Sequence, residues 1–61
     1  MLKKIKNATI IFNNEEYKAM NIYYEEYKIM FGFMKSVEFD FLKDGKLLHK
    51  KFVSQNIEII E

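Results

Sequence analysis

The chain has 61 residues, which allows one domain of marginal stability, because so short a chain buries only part of its apolar surface. It contains no cysteine and one histidine, which excludes disulfide bonds and a histidine-rich zinc site. The formal net charge is +1 and all ten basic residues are lysine, so charge does not favour nucleic acid, an anionic membrane or an acidic substrate. A hydrophobic content of 49% supports a packed core.

The cellular setting is indicated by composition alone. Residues 1–12, MLKKIKNATIIF, lack the apolar core of a signal peptide, and no stretch is long enough to span a membrane. The absence of cysteine fits a cytoplasmic protein. Heavy use of Lys, Ile, Asn, Tyr and Phe, without Pro, Arg or Trp, is typical of an AT-rich genome. We therefore expect a low-GC bacterium, or one of its phages or mobile elements, as the source.

The first predicted strand is residues 8–12, ATIIF, a β-branched and aromatic run that follows a basic lead-in. Asn13 and Asn14 come next and predict a turn, because asparagine tolerates left-handed backbone angles. A short repeat follows, in which EEYKAM begins at residue 15 and EEYKIM at residue 25. This offset suits successive strand-and-turn units, so we place a second turn at Glu25 and Glu26.

Residues 15–34 also allow a helix. Their aromatic and methionine side chains follow the spacing of an amphipathic helix at Tyr17, Met20, Tyr24, Tyr27, Phe31 and Met34. This stripe contains no leucine, however, and tyrosine, isoleucine and phenylalanine favour strands over helices. We therefore predict two strands here and keep a helix as the alternative.

The most informative stretch is residues 37–53, VEFDFLKDGKLLHKKFV. Two β-prone runs flank Asp44 and Gly45, the dipeptide that best tolerates positive φ in a two-residue turn, so the stretch predicts a β-hairpin. Pairing outward from this turn gives one apolar face that carries Val37, Phe39, Phe41, Leu48 and Phe52. A shift of one residue would destroy that face, which favours this register.

The opposite face of the same hairpin is polar. It pairs Glu38 with Lys51 and Asp40 with His49, so opposite charges meet across the strands. His49 is the only histidine and has no nucleophile near it in the predicted hairpin. We therefore expect a surface pair with Asp40, not a catalytic or metal-binding group.

The end of the chain resembles the close of SH3-like and Sm-like small barrels. In those barrels a strand leads through one 3₁₀ turn into a last strand, often with the residues Phe-Pro-Ser-Asn-Tyr-Val. Residues 52–57 of this chain, FVSQNI, stand in that place, within KKFVSQNIEIIE. The resemblance implies an all-β fold: a small SH3-like barrel, or a curled antiparallel meander, of about five strands over residues 1–61. Tryptophan and an early Ala-Leu-Tyr-Asp stretch are absent, so binding of proline-rich peptides is not implied.

Enzymatic motifs are not visible. The paired glutamates at residues 15–16 and 25–26 point to opposite faces if they lie in strands, so they do not converge on a proton or a cation. There is no glycine-rich phosphate loop, and Ser36 and Ser54 have no adjacent base. We therefore predict that the protein is not an enzyme and uses neither a cofactor nor a metal.

The aromatic side chains give the functional prediction. Most of them fill the core of a chain this small. On the predicted pairing, the non-core face of the middle strands carries the candidate binding residues Tyr17, Tyr23, Lys28, Met30 and Met34. Tyrosine and methionine are enriched at protein interfaces, so we predict a non-enzymatic adaptor or inhibitor that binds another protein. A homodimer is compatible with the same surface. The alternative is a binder of single-stranded RNA or DNA that stacks bases on these rings beside lysines.

Overall fold

The computed structural model describes residues 2–61, and Met1 lies outside the described residues. These residues form one sheet of five antiparallel strands: β1 Leu2–Phe12, β2 Glu15–Ile29, β3 Gly32–Lys43, β4 Lys46–Ser54 and β5 Glu58–Ile60. The all-β class predicted from the sequence is confirmed. A helix over residues 15–34 is wrong, because that segment is divided between β2 and β3 and the described residues contain no helix.

Two hairpin turns form where the sequence predicts them. Asn13 and Asn14 join β1 to β2 with φ angles of 52° and 64°, and Asp44 and Gly45 join β3 to β4 with φ angles of 53° and 77°. Positive φ at both central residues is the type I′ geometry, whose twist matches that of the flanking strands. The predicted register of β3 with β4 is confirmed pair by pair.

The turn between β2 and β3 lies at Met30 and Phe31, so its predicted place at Glu25 and Glu26 is wrong. Both glutamates lie inside β2, and both copies of the repeat begin in that one strand. Glutamate resists positive φ, whereas Gly32, directly after the observed turn, has a φ of 129° that few residues besides glycine adopt. The only glycine of the segment therefore marks where the chain reverses.

A β-bulge near the middle of β2 changes which of its side chains point toward the core. Its register with β3 shifts between Met20 and Tyr23, and Asn21 has a φ of 52°. The extra residue reverses the alternation of side chains, so odd positions face the core before the bulge and even positions after it. The side chains of β2 in the core are accordingly Tyr17, Ala19 and Ile22, with half-buried Tyr24 packed against them.

The hydrophobic core lies on the inner face of the curled sheet. Its buried members are Ile5, Ile10, Tyr17, Ala19, Ile22, Val37, Phe39, Phe41 and Ile57. The ring of Phe39 lies among those of Tyr17, Phe41 and Phe52, at centroid distances of 5.5, 5.9 and 5.8 Å. Phe52 of β4 also stacks on Phe12 of β1 at 4.4 Å, and this contact holds the curl of the sheet.

The strand order is β4-β3-β2-β1-β5, so the first four strands form a meander and β5 returns to pair with β1. The sheet is open, because β4 and β5 are both edge strands, and the predicted barrel is not closed. The residues after Ser54 make a bend in place of the predicted helical turn. In this bend the backbone N–H of Asn56 donates to Ser54 Oγ at 3.1 Å, and the buried Ile57 follows.

Candidate functional site

The β2–β3 hairpin extends beyond the rest of the sheet as a two-stranded arm. Pairing of β1 with β2 ends at Glu25 opposite Leu2, and pairing of β4 with β3 ends at Lys35 opposite Ser54. Residues 27–34, which we call the arm, pair only with each other among the described residues. The molecule measures 41 × 23 × 18 Å, and a projecting hairpin accords with this elongated shape.

The arm carries a concentration of apolar side chains. We define the arm patch as Tyr27, Ile29, Met30, Phe31, Phe33 and Met34. Met30 and Phe31, in the turn, are 89% and 86% exposed. A two-stranded hairpin has no second layer against which to bury such side chains. Single exposed apolar residues are ordinary on protein surfaces, whereas a contiguous group of them marks an interaction site.

The arm patch covers both faces of the hairpin. Tyr27 is directly opposite Met34, and both lie on the outer face, which we define as the face of the sheet opposite the core. Lys28 is directly opposite Phe33, and both lie on the inner face. The arm therefore presents a Tyr–Met pair on one side, a Lys–Phe pair on the other and two exposed apolar side chains at its end.

The structure brings three of the predicted binding residues, Lys28, Met30 and Met34, together on the arm. Tyr17 does not join them, because its side chain is only 8% exposed and its ring packs against the aromatic core. The prediction that Tyr17 shares an exposed face with Tyr23 is therefore wrong. The physical reason is the bulge in β2, which lies between the two tyrosines and turns one inward and the other outward.

Tyr23 lies on the outer face of the sheet, four positions before Tyr27 and on the same side of β2. Its side chain is 45% exposed, and Lys4 Nζ is 5.5 Å from the centroid of its ring. A lysine ammonium over an exposed ring contributes about 0.5–1 kcal/mol. Tyr23 thus extends the outer side of the arm patch toward the body of the sheet, with a positive charge beside it.

Tyr27, Phe31 and Phe33 belong to the arm patch, although the sequence analysis did not select them as binding residues. The turn predicted at the paired glutamates placed Phe31 inside a strand, opposite Met20 on the apolar face. Gly32 was the available signal, since a glycine is the residue most compatible with a turn in this segment. A turn at that glycine would have placed Phe31 at the end of the hairpin.

The other two tyrosines have hydroxyl groups that are engaged within the chain. The Tyr17 hydroxyl donates to Glu15 Oε2 at 2.7 Å, and the Tyr24 hydroxyl donates to Glu26 Oε2 at 2.7 Å. Burial, together with its hydrogen bond, raises the pKa of Tyr24 to about 12. The hydrogen bond to Glu15, followed by burial, raises the pKa of Tyr17. The exposed tyrosine rings are therefore those of Tyr23 and Tyr27, on the outer face.

Comparison of the chain with protein-family models, with curated proteins and with solved structures found no match. The geometry of the described residues therefore carries the functional interpretation. Among residues 2–61 there is no helix long and apolar enough to cross a membrane.

A cluster of polar side chains on the outer face of β3 and β4 is a second candidate. His49 Nδ1 is 2.6 Å from Asp40 Oδ1, and His49 Nε2 is 2.7 Å from Glu38 Oε2. Asn21 Nδ2 donates to the other carboxylate oxygen of Asp40 at 3.3 Å. The predicted pairing of His49 with Asp40 is confirmed. Lys51 is opposite Glu38 in the register, as predicted, but the carboxylate contacts His49.

The chemistry of this cluster follows from its hydrogen bonds. The bond to Asp40, followed by the bond to Glu38, raises the pKa of His49, and the bond from His49 lowers the pKa of Asp40. When the imidazole is protonated, both ring nitrogens donate to these carboxylates, and in that form it has no lone pair for a metal or for general base catalysis. In the part of the chain that the structure describes, no group of three or more His, Cys, Asp or Glu side chains is arranged to hold a metal ion.

Replacing His49 with glutamine is expected to flatten the dependence of stability on pH. Because the pKa of His49 is raised by folding, its stabilising contribution is fully present below the unfolded value of about 6.5 and is lost as pH rises through the folded value. The melting temperature of the parent chain should therefore fall as the pH rises above about 6.5, and that of His49→Gln should fall less. Lys51→Gln is the matched control, and identical pH slopes in all three proteins would contradict the expectation.

Proposed function

We propose that the chain is a small non-enzymatic binding module, an adaptor or an inhibitor, that recognises a partner protein through the arm patch. The observation that carries this proposal is the exposure of Met30 and Phe31 at the end of a projecting hairpin. Covering apolar surface releases about 25 cal/mol per Å², and folding leaves this surface uncovered. Aromatic residues and methionine are also the types enriched in the buried centres of protein interfaces.

The base of the arm supports the same proposal. Tyr24 and Val37 are opposite each other close to the base of the arm. Val37 lies in the core, and Tyr24 packs against it. A hairpin whose base is fixed by packing presents its end in a defined position. Binding then orders few additional residues, which reduces the entropic cost of association.

The SH3-like relationship is also part of the proposal. Its support is the strand order, in which a four-stranded meander is followed by a last strand that returns to pair with β1. Two features differ from that pattern: a bend between β4 and β5 stands where the resemblance places a 3₁₀ turn, and the sheet is open. On this proposal the chain uses a small SH3-like scaffold to present an arm, without the peptide groove of proline-binding SH3 domains.

A second candidate function is binding of single-stranded nucleic acid. The observation that favours it is the pairing of lysines with exposed rings: Lys4 lies over Tyr23, and Lys28 is opposite Phe33. Rings of this kind can stack bases while lysines neutralise phosphates. Binding of this type weakens steeply with salt because counterions are released from the phosphates, whereas binding through the arm patch should depend little on salt.

The proposed function is tested by the double variant Met30→Ser, Phe31→Ser. Because both side chains are exposed, stability should change by no more than about 0.5 kcal/mol. Binding should weaken by about tenfold or more, since apolar anchors carry most of the energy of an interface. The immobilised chain is incubated with lysate of a low-GC bacterium, the proposed source, with and without nuclease, and the captured proteins are compared between variants.

The matched control is Leu42→Ser, Ile60→Ser. Both side chains are exposed and lie away from the arm, Leu42 in β3 and Ile60 in β5. The proposal expects a nuclease-resistant protein that the parent and the control retain and that the arm variant loses. Equal loss from both variants would mean that capture is unspecific hydrophobic adhesion. Loss after nuclease treatment would instead favour the nucleic-acid function.

A further inference from the structure

Strand β4 presents a long open edge. It pairs with β3 over its whole length of nine residues, from Lys46 to Ser54, without a bulge. On its other side it has no partner strand, because β4 is at the end of the sheet order. Although Phe52 touches Phe12, no Cα atom of β1 or β5 lies within 8 Å of one in β4. A row of backbone hydrogen-bonding groups therefore faces solvent along this edge.

The two-residue turn shows which backbone groups these are. Lys43 and Lys46 flank the turn and form a hydrogen-bonded pair, and hydrogen-bonded pairs then alternate with non-hydrogen-bonded pairs along an antiparallel ladder. Even-numbered residues of β4 thus bond to β3. The N–H and C=O groups that point to the open edge belong to Leu47, His49, Lys51 and Val53.

The charges of β4 define what can approach this edge. The strand carries Lys46, Lys50 and Lys51 and contains no carboxylate. The ion pairs found among residues 2–61 involve Lys3 and His49 and none of these lysines. Lysines along an edge oppose the pairing of one copy with another, because like charges would lie side by side. The same lysines attract a strand that carries carboxylates.

Apolar side chains complete the surface. Leu47, Leu48 and Val53 of β4 are exposed and lie on both faces of the edge strand. Lys50 is held above the inner face, with its Nζ 5.3 Å from the ring centroid of Tyr17. A partner strand would therefore meet apolar contacts interleaved with positive charges on each side of the sheet.

We propose that the open edge of β4 binds an extended peptide segment whose carboxylate side chains are interleaved with apolar ones, and adds it as a sixth strand of the sheet. Backbone hydrogen bonds to the open edge would supply affinity, and the lysines and exposed apolar side chains of β4 would select the sequence. This surface is separate from the arm patch, so it stands independently of the proposed function.

The test is titration of the ¹⁵N-labelled chain with the nine-residue peptide EEVVEEVVE with blocked termini, which matches the length of β4. Because successive side chains of a strand point to opposite faces, this peptide presents glutamate interleaved with valine on each face. The amides of Leu47, His49, Lys51 and Val53 should shift and become protected from solvent exchange. The amides of Leu48 and Lys50, already bonded to β3, should gain little protection. A peptide with lysine in place of glutamate should not bind, and raised salt should weaken binding of the acidic one.

Two variants sharpen this experiment. Lys46→Glu, Lys51→Glu should weaken binding of the acidic peptide by about tenfold or more, whereas Lys28→Glu on the arm should leave it unchanged. Val53→Pro removes one open-edge donor without a change of charge, and proline is tolerated where the strand N–H faces solvent. It should weaken binding while the melting temperature is retained, and if it unfolds the charge variant decides alone.

The proposal is overturned by any of three results. Binding of the lysine peptide as tight as that of the glutamate peptide would show that charge does not select the bound strand. Shifts confined to the arm would place the peptide elsewhere, and would leave the proposed function of the arm standing. Concentration-dependent broadening of the open-edge amides without peptide would show that a second copy of the chain occupies the edge.

Discussion

Replacing Phe39 with alanine is expected to leave the chain largely unfolded at room temperature. Phe39 is fully buried, and its ring lies between those of Tyr17, Phe41 and Phe52. Truncation of a buried phenylalanine costs about 3–5 kcal/mol, through lost transfer energy and the cavity that remains. A domain of this size has a total stability of about 3–9 kcal/mol, and a chain of marginal stability is near the lower limit, where the loss equals the whole of it.

Phe33→Ala is the matched control for this prediction, because it removes the same side chain from an exposed position on the arm. It should change stability by no more than about 0.5 kcal/mol. Urea unfolding of the three proteins, followed by far-UV circular dichroism, measures the difference. Similar midpoints for Phe39→Ala and the parent chain would show that the aromatic cluster does not hold the sheet together.

Replacing Gly45 with valine is expected to destabilise the fold by more than about 1 kcal/mol, because a β-branched residue resists left-handed backbone angles. Gly45 has a φ of 77°, the second positive φ of the type I′ turn. A Cβ atom at this position would meet no other atom within 4 Å. The expected loss therefore comes from backbone strain and not from a steric clash.

Two substitutions test that explanation for Gly45. Gly45→Asn should be nearly neutral, because asparagine tolerates positive φ. Lys46→Val places the same valine side chain one residue later, in the strand, where β-branched residues are favoured, and should not destabilise. Thermal unfolding of the three variants gives the comparison. A parent-like melting temperature for Gly45→Val would mean that the turn has no fixed backbone conformation in solution.

The β3–β4 hairpin could be predicted from the sequence because its determinants are local. Asp44 and Gly45 select one turn geometry, and alternation of apolar and charged residues then selects one register. The turn at Asn13 and Asn14 follows the same rule. At both turns, the backbone preference of the two turn residues agrees with the alternation of apolar and polar residues in the flanking strands. No contact with a distant segment was needed to select the conformation.

The candidate site was only partly predictable, because which residues belong to it depends on the bulge in β2 and on the residue at which β2 ends. Lys28, Met30 and Met34 all lie on the arm, but Lys28 is on its inner face, Met34 on its outer face and Met30 in the turn, because the predicted turn at the paired glutamates was wrong. Tyr17 was assigned to the wrong face because a single extra residue in the bulge reverses every side chain beyond it. Phe31 was missed because its exposure depends on where the strand ends.

The sequence by itself determined the strand content, two of the three hairpin turns and the polar pairing of His49 with Asp40, since each depends on residues close in sequence or directly opposite across a tight turn. Only the tertiary structure decided the bulge at Asn21, the length of the arm and the return of β5 to β1. These features depend on which apolar side chains from distant strands fill one inner face, where Phe12 meets Phe52. Packing between distant segments, and not local propensity, therefore places the arm patch in solvent and leaves β4 at an open edge.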